Sequence, residues 1–234
     1  ELISRGPLFT GRPKAFLETT RRMELWLGSM QLFREPRHHQ AAAAGARALF
    51  ELALDMKSLA SDPDGSLLEK FQAFPEVEHF RVSEKLVAFY RKSTGATPLP
   101  DLPGREAYVS DIARRDRIYA TTRKLWGKDP GKDPIRGWPK HWSDQGSERR
   151  AREHGIAFEE HYVLTYARLS LYLHSGAAGA ATDPITEMAL LGQSHAVATQ
   201  SFLSALAVLA PQLALKPLGE ALEAWAKRWH ESKH

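Results

Sequence analysis

Apolar residues recur three and four positions apart along most of the chain, and no stretch alternates as a half-buried strand does. This period predicts helices nearly throughout. Thr10-Gly11-Arg12-Pro13 sets a proline in a first helical turn, with apolar positions from Phe16 to Phe33 and a stop at Glu35-Pro36. An alanine- and leucine-rich helix runs from His38 to Ala60 and ends at Ser61-Asp62-Pro63-Asp64-Gly65. A short helical piece covers Ser66 to Phe74, and Pro75 is expected to open a separate helix that ends near Thr94-Gly95. Three prolines make residues 95–104 a loop, and a charged helix follows over 105–126, with Val109, Ile112, Ile118 and Leu125 as its apolar stripe. Residues 127–146 hold three prolines and four glycines, too many breakers for a helix, and form a long irregular loop. Further helices are predicted over Ser147–His154, Phe158–His174, 184–210 and 216–232, with Pro211 and Pro217 near the last junction. The expected architecture is all-α: one helical-bundle domain over 1–234, with extra helices at its N- and C-terminal ends.

Polar residues interrupt two of the apolar helices. In 158–174, Phe158, Val163, Leu164, Ala167, Leu169, Leu171 and Leu173 cover most directions, which predicts a buried helix. Tyr166, Ser170 and His174 are four apart and form one stripe on it, so the Ser170 hydroxyl can reach its own i−4 carbonyl or the imidazole one turn on. Arg168 lies six residues before His174, about 120° away around an ideal helix. In the 38–60 helix, Arg47 and Glu51 share a face with Ala43, Phe50 and Leu54. An apolar face does not hold a carboxylate without a partner, so Glu51 is expected within hydrogen-bonding reach of Arg47 or of the polar residues of the later helix. His38 and His39 are adjacent at a helix start, where side chains do not converge on a metal, and are expected to be exposed. His161 and His195 stand alone on helices and are expected to find partners in the core or at the surface.

Composition narrows the chemistry. Without cysteine there is no disulfide framework, cysteine nucleophile or thiolate metal site, which fits a reducing cytoplasm. No run approaches the ~18 apolar residues of a membrane span, and the first thirty residues carry too many charges for a signal peptide. Because the chain begins at Glu1 rather than Met, an N-terminal segment is expected to precede it. There is no zinc-protease, EF-hand, dinucleotide or nucleophile-elbow motif, and no metal or cofactor is implied. The net charge of +4 is uneven: Arg105 to Glu153 holds 13 Lys and Arg against 8 Asp and Glu, so the rest of the chain nets −1. A local basic stretch suits a polyanion such as RNA. Within it Lys128, Lys132, Arg136 and Lys140 alternate with Trp138 and Trp142, a mixture that can contact phosphates and stack on unpaired bases. The alternative is that both indoles dock on the bundle and the cations solvate the loop. The loop's duplicated GKDP lacks the spacing of a phosphate-cradling P-loop.

Arg47, Leu49, Phe50 and Glu51 on an early helix, Trp142 before a short basic helix, then Tyr166, Leu169, Ser170 and His174 form the pattern R-x-L-F-E … W … Y-x-x-L-S-x-x-x-H. It resembles, over roughly residues 20–200, a poorly characterised bacterial family of unknown function generally placed near the HEPN superfamily of helical bundles. Many HEPN proteins are metal-independent RNases, often toxins or defence effectors, whose signature is an arginine followed after four to six residues by a histidine. Arg168 and His174, with five between, fit it. The resemblance implies a homodimeric endoribonuclease in which Arg168, His174 and Ser170 carry the chemistry and Arg47, Glu51 and Tyr166 support it. Leu169 stands where that signature usually has a polar residue, which keeps open a second reading: a non-catalytic helical module that binds a nucleotide or a protein partner.

Overall fold

The computed structural model describes residues 10–93, 100–174 and 183–231, with the side chains of all but 171–174, 225, 226 and 229–231. Among them the regular structure is helical: α1 (Gly11–Met30), a 3-10 turn (Pro36–His38), α2 (His39–Ala60), α3 (Ser66–Lys92), α4 (Leu102–Ser110), α5 (Ile112–Trp126), α6 (Ser147–Glu153), α7 (Ile156–His161), a π-helical turn (Tyr162–Tyr166), α8 (Ala167–His174), α9 (Pro184–Gln212) and α10 (Lys216–Glu231). The all-α expectation holds. No described helix is long and apolar enough to cross a membrane. The chain divides into two compact units, Gly65–Gly146 and the remainder, the first inserted in the sequence of the second.

In the larger unit α2 is central, packing most extensively on α9 and also on α1, α8 and α6. Its small residues make this possible. A Cβ on Gly45 would lie 2.8 Å from Cγ of buried Met30, so the absence of a side chain there lets α1 and α2 close together. α9 likewise buries Ser194, Ala198, Ser201 and Ala205. Its start is fixed by Asp183, whose carboxylate accepts the backbone N–H groups of Ile185 and Thr186 at 2.9 and 3.0 Å, with Pro184 in the first turn.

The smaller unit departs from the predicted helix ends: α4 already begins at Leu102, inside the predicted 95–104 loop, and two differences are larger. Pro75 does not divide α3, which runs through it from Ser66 to Lys92. The proline costs the helix a hydrogen bond, about 3 kcal/mol in all. The flanking aromatics offset that by packing: Phe71 on Trp142, Phe74 on Trp126 and Phe80 on Trp138. Conversely, 105–126 is not one helix. Asp111 is extended and caps α5 by accepting the Arg114 N–H at 3.0 Å, so α4 ends at Ser110. That bond is the leading reason its carboxyl titrates below the usual range.

The loop after α5 is ordered by its own repeat. In each KDP the aspartate turns the backbone: Asp129 accepts from Gly131 N–H at 3.1 Å, and Asp133 from Ile135 and Arg136 N–H at 2.9 and 2.8 Å. Gly137 then passes so close to the Asp129 and Asp133 carbonyl oxygens that no Cβ fits. Trp138 enters a core with Val77, Phe80 and Ile118.

Candidate functional site

The polar residues of α2 form a seam of about three turns. Arg47, Glu51 and Asp55 follow at intervals of four and Ser58 three later, so all lie along one side of the helix. Opposite them run α6, the π-helical turn and α8. The Tyr166 hydroxyl donates to a Glu51 carboxylate oxygen and accepts from Arg47 Nη2 at 3.0 Å. The Arg47 guanidinium also sits over the Tyr166 ring, 4.8 Å from its centroid. Ser147 Oγ approaches Glu51 at 3.5 Å. The expectation that Glu51 reaches the polar residues of the later helix is met, through a tyrosine 115 positions away.

One turn further, Arg150 of α6 forms an ion pair with Asp55; they are 1% and 7% exposed. The next contact is Ser58 Oγ to His154 Nε2, 2.8 Å, with the serine proton returned to the Leu54 carbonyl. Burial, followed by the charge of Lys57, holds the His154 imidazole below its ordinary pKa. Phe50, Leu54 and Ala151 close around the seam, with Tyr162 stacked on Tyr166 at 5.1 Å. Sequence reasoning stopped at Arg47 and Glu51. The signal for Asp55 was present, because it continues the same i, i+4 stripe. Arg150 carried none, since it looked like any cation of a short basic helix.

The helix predicted over Phe158–His174 is interrupted by the π-helical turn at Tyr162–Tyr166, and it is not buried on all sides. Tyr166 and Leu169 face the core, but Val163 and Leu164 are 58% and 66% exposed, and Arg168 is exposed. A π turn accommodates an extra residue and rotates the helix beyond it, so one apolar face is left outside. Ser170 donates to its own i−4 carbonyl, Tyr166 O, at 2.8 Å, the structural one of its two options. The side chain of His174 lies outside the described residues, and its backbone closes α8.

Of the two readings of the tryptophan loop the structure favours docking of the indoles, and the expected exposure of His39 is corrected. Trp138 and Trp142 are 2% and 4% exposed, so neither indole is available to stack on a base; their apolar area is already used in packing. Of the loop cations, Lys128 is paired with Asp144 at 2.6 Å, whereas Lys132, Arg136 and Lys140 are exposed. His39 is not exposed at its helix start but 5% accessible, with Nδ1 3.1 Å from the Pro36 carbonyl and 4.0 Å from Glu187. His195 reaches the Phe33 carbonyl at 2.9 Å.

The seam, the inserted unit and the exposed helix all fall within residues 21–183, which match a family of unknown function, DUF5677. The chain belongs to this family. The DUF5677 match covers well over half of the chain, from within α1 to the cap of α9. No curated protein and no solved structure matches it.

Proposed function

We propose that this DUF5677 protein is a HEPN-like, metal-independent endoribonuclease, with His174 moving the proton of a ribose 2′-OH and Arg168 holding the phosphate it attacks. The observation that carries this reading is the setting of Arg168. It stands exposed on a helix whose opposite side is clamped by the Arg47–Tyr166–Glu51 network. A guanidinium free in solvent on a rigid helix can meet a phosphate bidentately, and a clamped helix fixes where it does so. In this reading Arg47, Glu51 and Tyr166 are positioning residues, and Ser170 steadies the same turn.

Six residues turn an ideal helix to about 120° from where it would repeat, so in this reading the composite site is completed by a second copy. The exposed Val163 and Leu164, on the turn before Arg168, supply apolar surface for that contact. The inserted unit carries 15 Lys and Arg against 11 Asp and Glu, which is the whole net charge of +4. In this reading Lys132, Arg136 and Lys140, with Lys128 behind its ion pair, attract the RNA backbone through charge alone.

The test is incubation of the purified protein with total RNA in the presence of a metal chelator, beside Arg168→Ala and His174→Ala. Cleavage by the wild type and its loss in both variants, with unchanged melting temperatures, is the expected result. Wild-type protein that leaves RNA intact, or variants that cleave equally, would remove the nuclease reading in favour of the non-catalytic module. Light scattering of a Val163→Glu, Leu164→Lys variant tests the second copy: its mass should fall to that of the monomer, and a monomeric wild type refutes the composite site.

A further inference from the structure

A cavity of about 50 Å³ opens beside the seam, lined by Phe50, Phe158, His161, Gln200, Ser201 and Ser204. Phe50 and Ser201 are buried, at 1% and 3% exposure, while Gln200 is exposed. Two of the polar atoms that line it, His161 Nε2 and Ser201 Oγ, are buried with no hydrogen-bond partner among the described residues. For a helical serine this is a departure within the same chain. Ser194, two turns earlier on α9, donates to the Leu190 carbonyl at 2.7 Å, and Ser58 and Ser170 return to their own i−4 carbonyls in the same way. A buried polar atom left unpaired costs about 1–3 kcal/mol. Two of them in one cavity mark a place that water or the polar atoms of a ligand can complete.

The lining restricts that ligand. It contains no charged side chain, and burial holds the His161 imidazole below its ordinary pKa, partly countered by hydrogen bonding between the ring and the Gln200 side chain. A charged group would lose its water there and gain no counter-ion. The Phe50 and His161 rings are stacked, 5.0 Å apart and 24° from parallel, and Phe158 lies 6.3 Å from Phe50, so the walls are largely flat and aromatic. The volume equals roughly two water molecules, enough for the edge of a ring and too little for a whole nucleoside. A neutral imidazole nitrogen and a hydroxyl can each donate or accept, so together they match an edge that carries a donor beside an acceptor.

We infer that this cavity receives the hydrogen-bonding edge of a nucleobase, with Ser201 Oγ and His161 Nε2 meeting adjacent polar atoms of the base and Gln200 at the rim. The choice of a nucleobase among planar neutral groups rests on the proposed action on RNA.

The experiment monitors the His161 ring resonances of the full chain by NMR during titration with adenosine, cytidine, guanosine and uridine at millimolar concentration, with ribose as the control. At least one nucleoside should shift the ring signals saturably and ribose should not. Ser201→Ala should weaken that nucleoside by about three- to tenfold, the equivalent of one neutral hydrogen bond. It should do so without lowering the melting temperature, since it removes an unpaired hydroxyl. His161→Phe, which keeps the ring stack, should abolish competition by the nucleoside against a fluorescent nucleoside analogue. Shifts caused equally by ribose, no shift with any nucleoside, or unchanged affinity in Ser201→Ala would each overturn the inference. Cleavage is not read in this experiment, so nucleoside binding by a protein that leaves total RNA intact would sink the nuclease reading alone. RNA cleavage without nucleoside binding would sink the cavity alone.

Discussion

Asp55→Asn is the most demanding test of the polar seam. It keeps the size of the side chain and removes its charge, leaving the Arg150 guanidinium 1% exposed with no carboxylate opposite. A lysine so placed could escape by losing its proton, but a guanidinium stays charged across the accessible pH range. The charge must therefore be hydrated by local opening of α6 or borne as an unpaired buried ion. Breaking such a pair from one side costs about 3–5 kcal/mol, which for a chain of this size lowers the melting temperature by roughly 6–20 °C. The charge pair itself is worth much less than this loss, because forming it required desolvating both partners. Asp55→Leu combined with Arg150→Met should consequently return stability to within about 1–2 kcal/mol of wild type. Urea denaturation followed by far-UV circular dichroism gives both numbers. A cost below about 1 kcal/mol for Asp55→Asn, or a double variant as unstable as the single, would refute the burial argument.

Tyr166→Phe removes the hydroxyl that joins Arg47 to Glu51 while keeping the ring on Phe50; it should cost about 1–3 kcal/mol in the same assay, and a cost near zero would mean that water replaces it. Gly137→Ala drives a Cβ into two backbone carbonyl oxygens, so it should destabilise the inserted unit by about 2–3 kcal/mol and shift tryptophan emission to the red as Trp138 leaves its core; unchanged emission refutes the packing. His154 and His161 are both held below their ordinary pKa of 6.5, chiefly by burial, so the unfolded chain binds protons that the folded one resists. Stability should be full above about pH 6.5 and fall as the pH drops through the depressed folded values. His154→Gln should flatten part of that fall in urea midpoints measured from about pH 8 to about pH 5, and an unaltered slope counts against it.

What the sequence by itself determined is local. The 3.6-residue period set the helical class and most helix boundaries, because each helix must turn one face from water whatever it packs against. The stripe of Arg47 and Glu51 on an apolar face announced that partners were waiting, because a buried carboxylate without one is too costly to keep. The identity of those partners was decided only by the tertiary structure. Tyr166, Ser147 and Arg150 lie about a hundred residues away; Tyr166 stood out as a polar residue on an apolar helix, but nothing in their own neighbourhoods distinguishes Ser147 and Arg150 from surface groups. The same division explains the elements that local pattern misread or left open. Pro75 is a breaker on local terms and survives inside α3 because aromatic packing outweighs a missing hydrogen bond. Trp138 and Trp142 sit among cations in the sequence, yet the turns made by Asp129 and Asp133 carry them into the core. The outward face of Val163, Leu164 and Arg168 depends on a π turn, whose extra residue no periodicity count reveals: an insertion shifts the register of a helix without changing its composition.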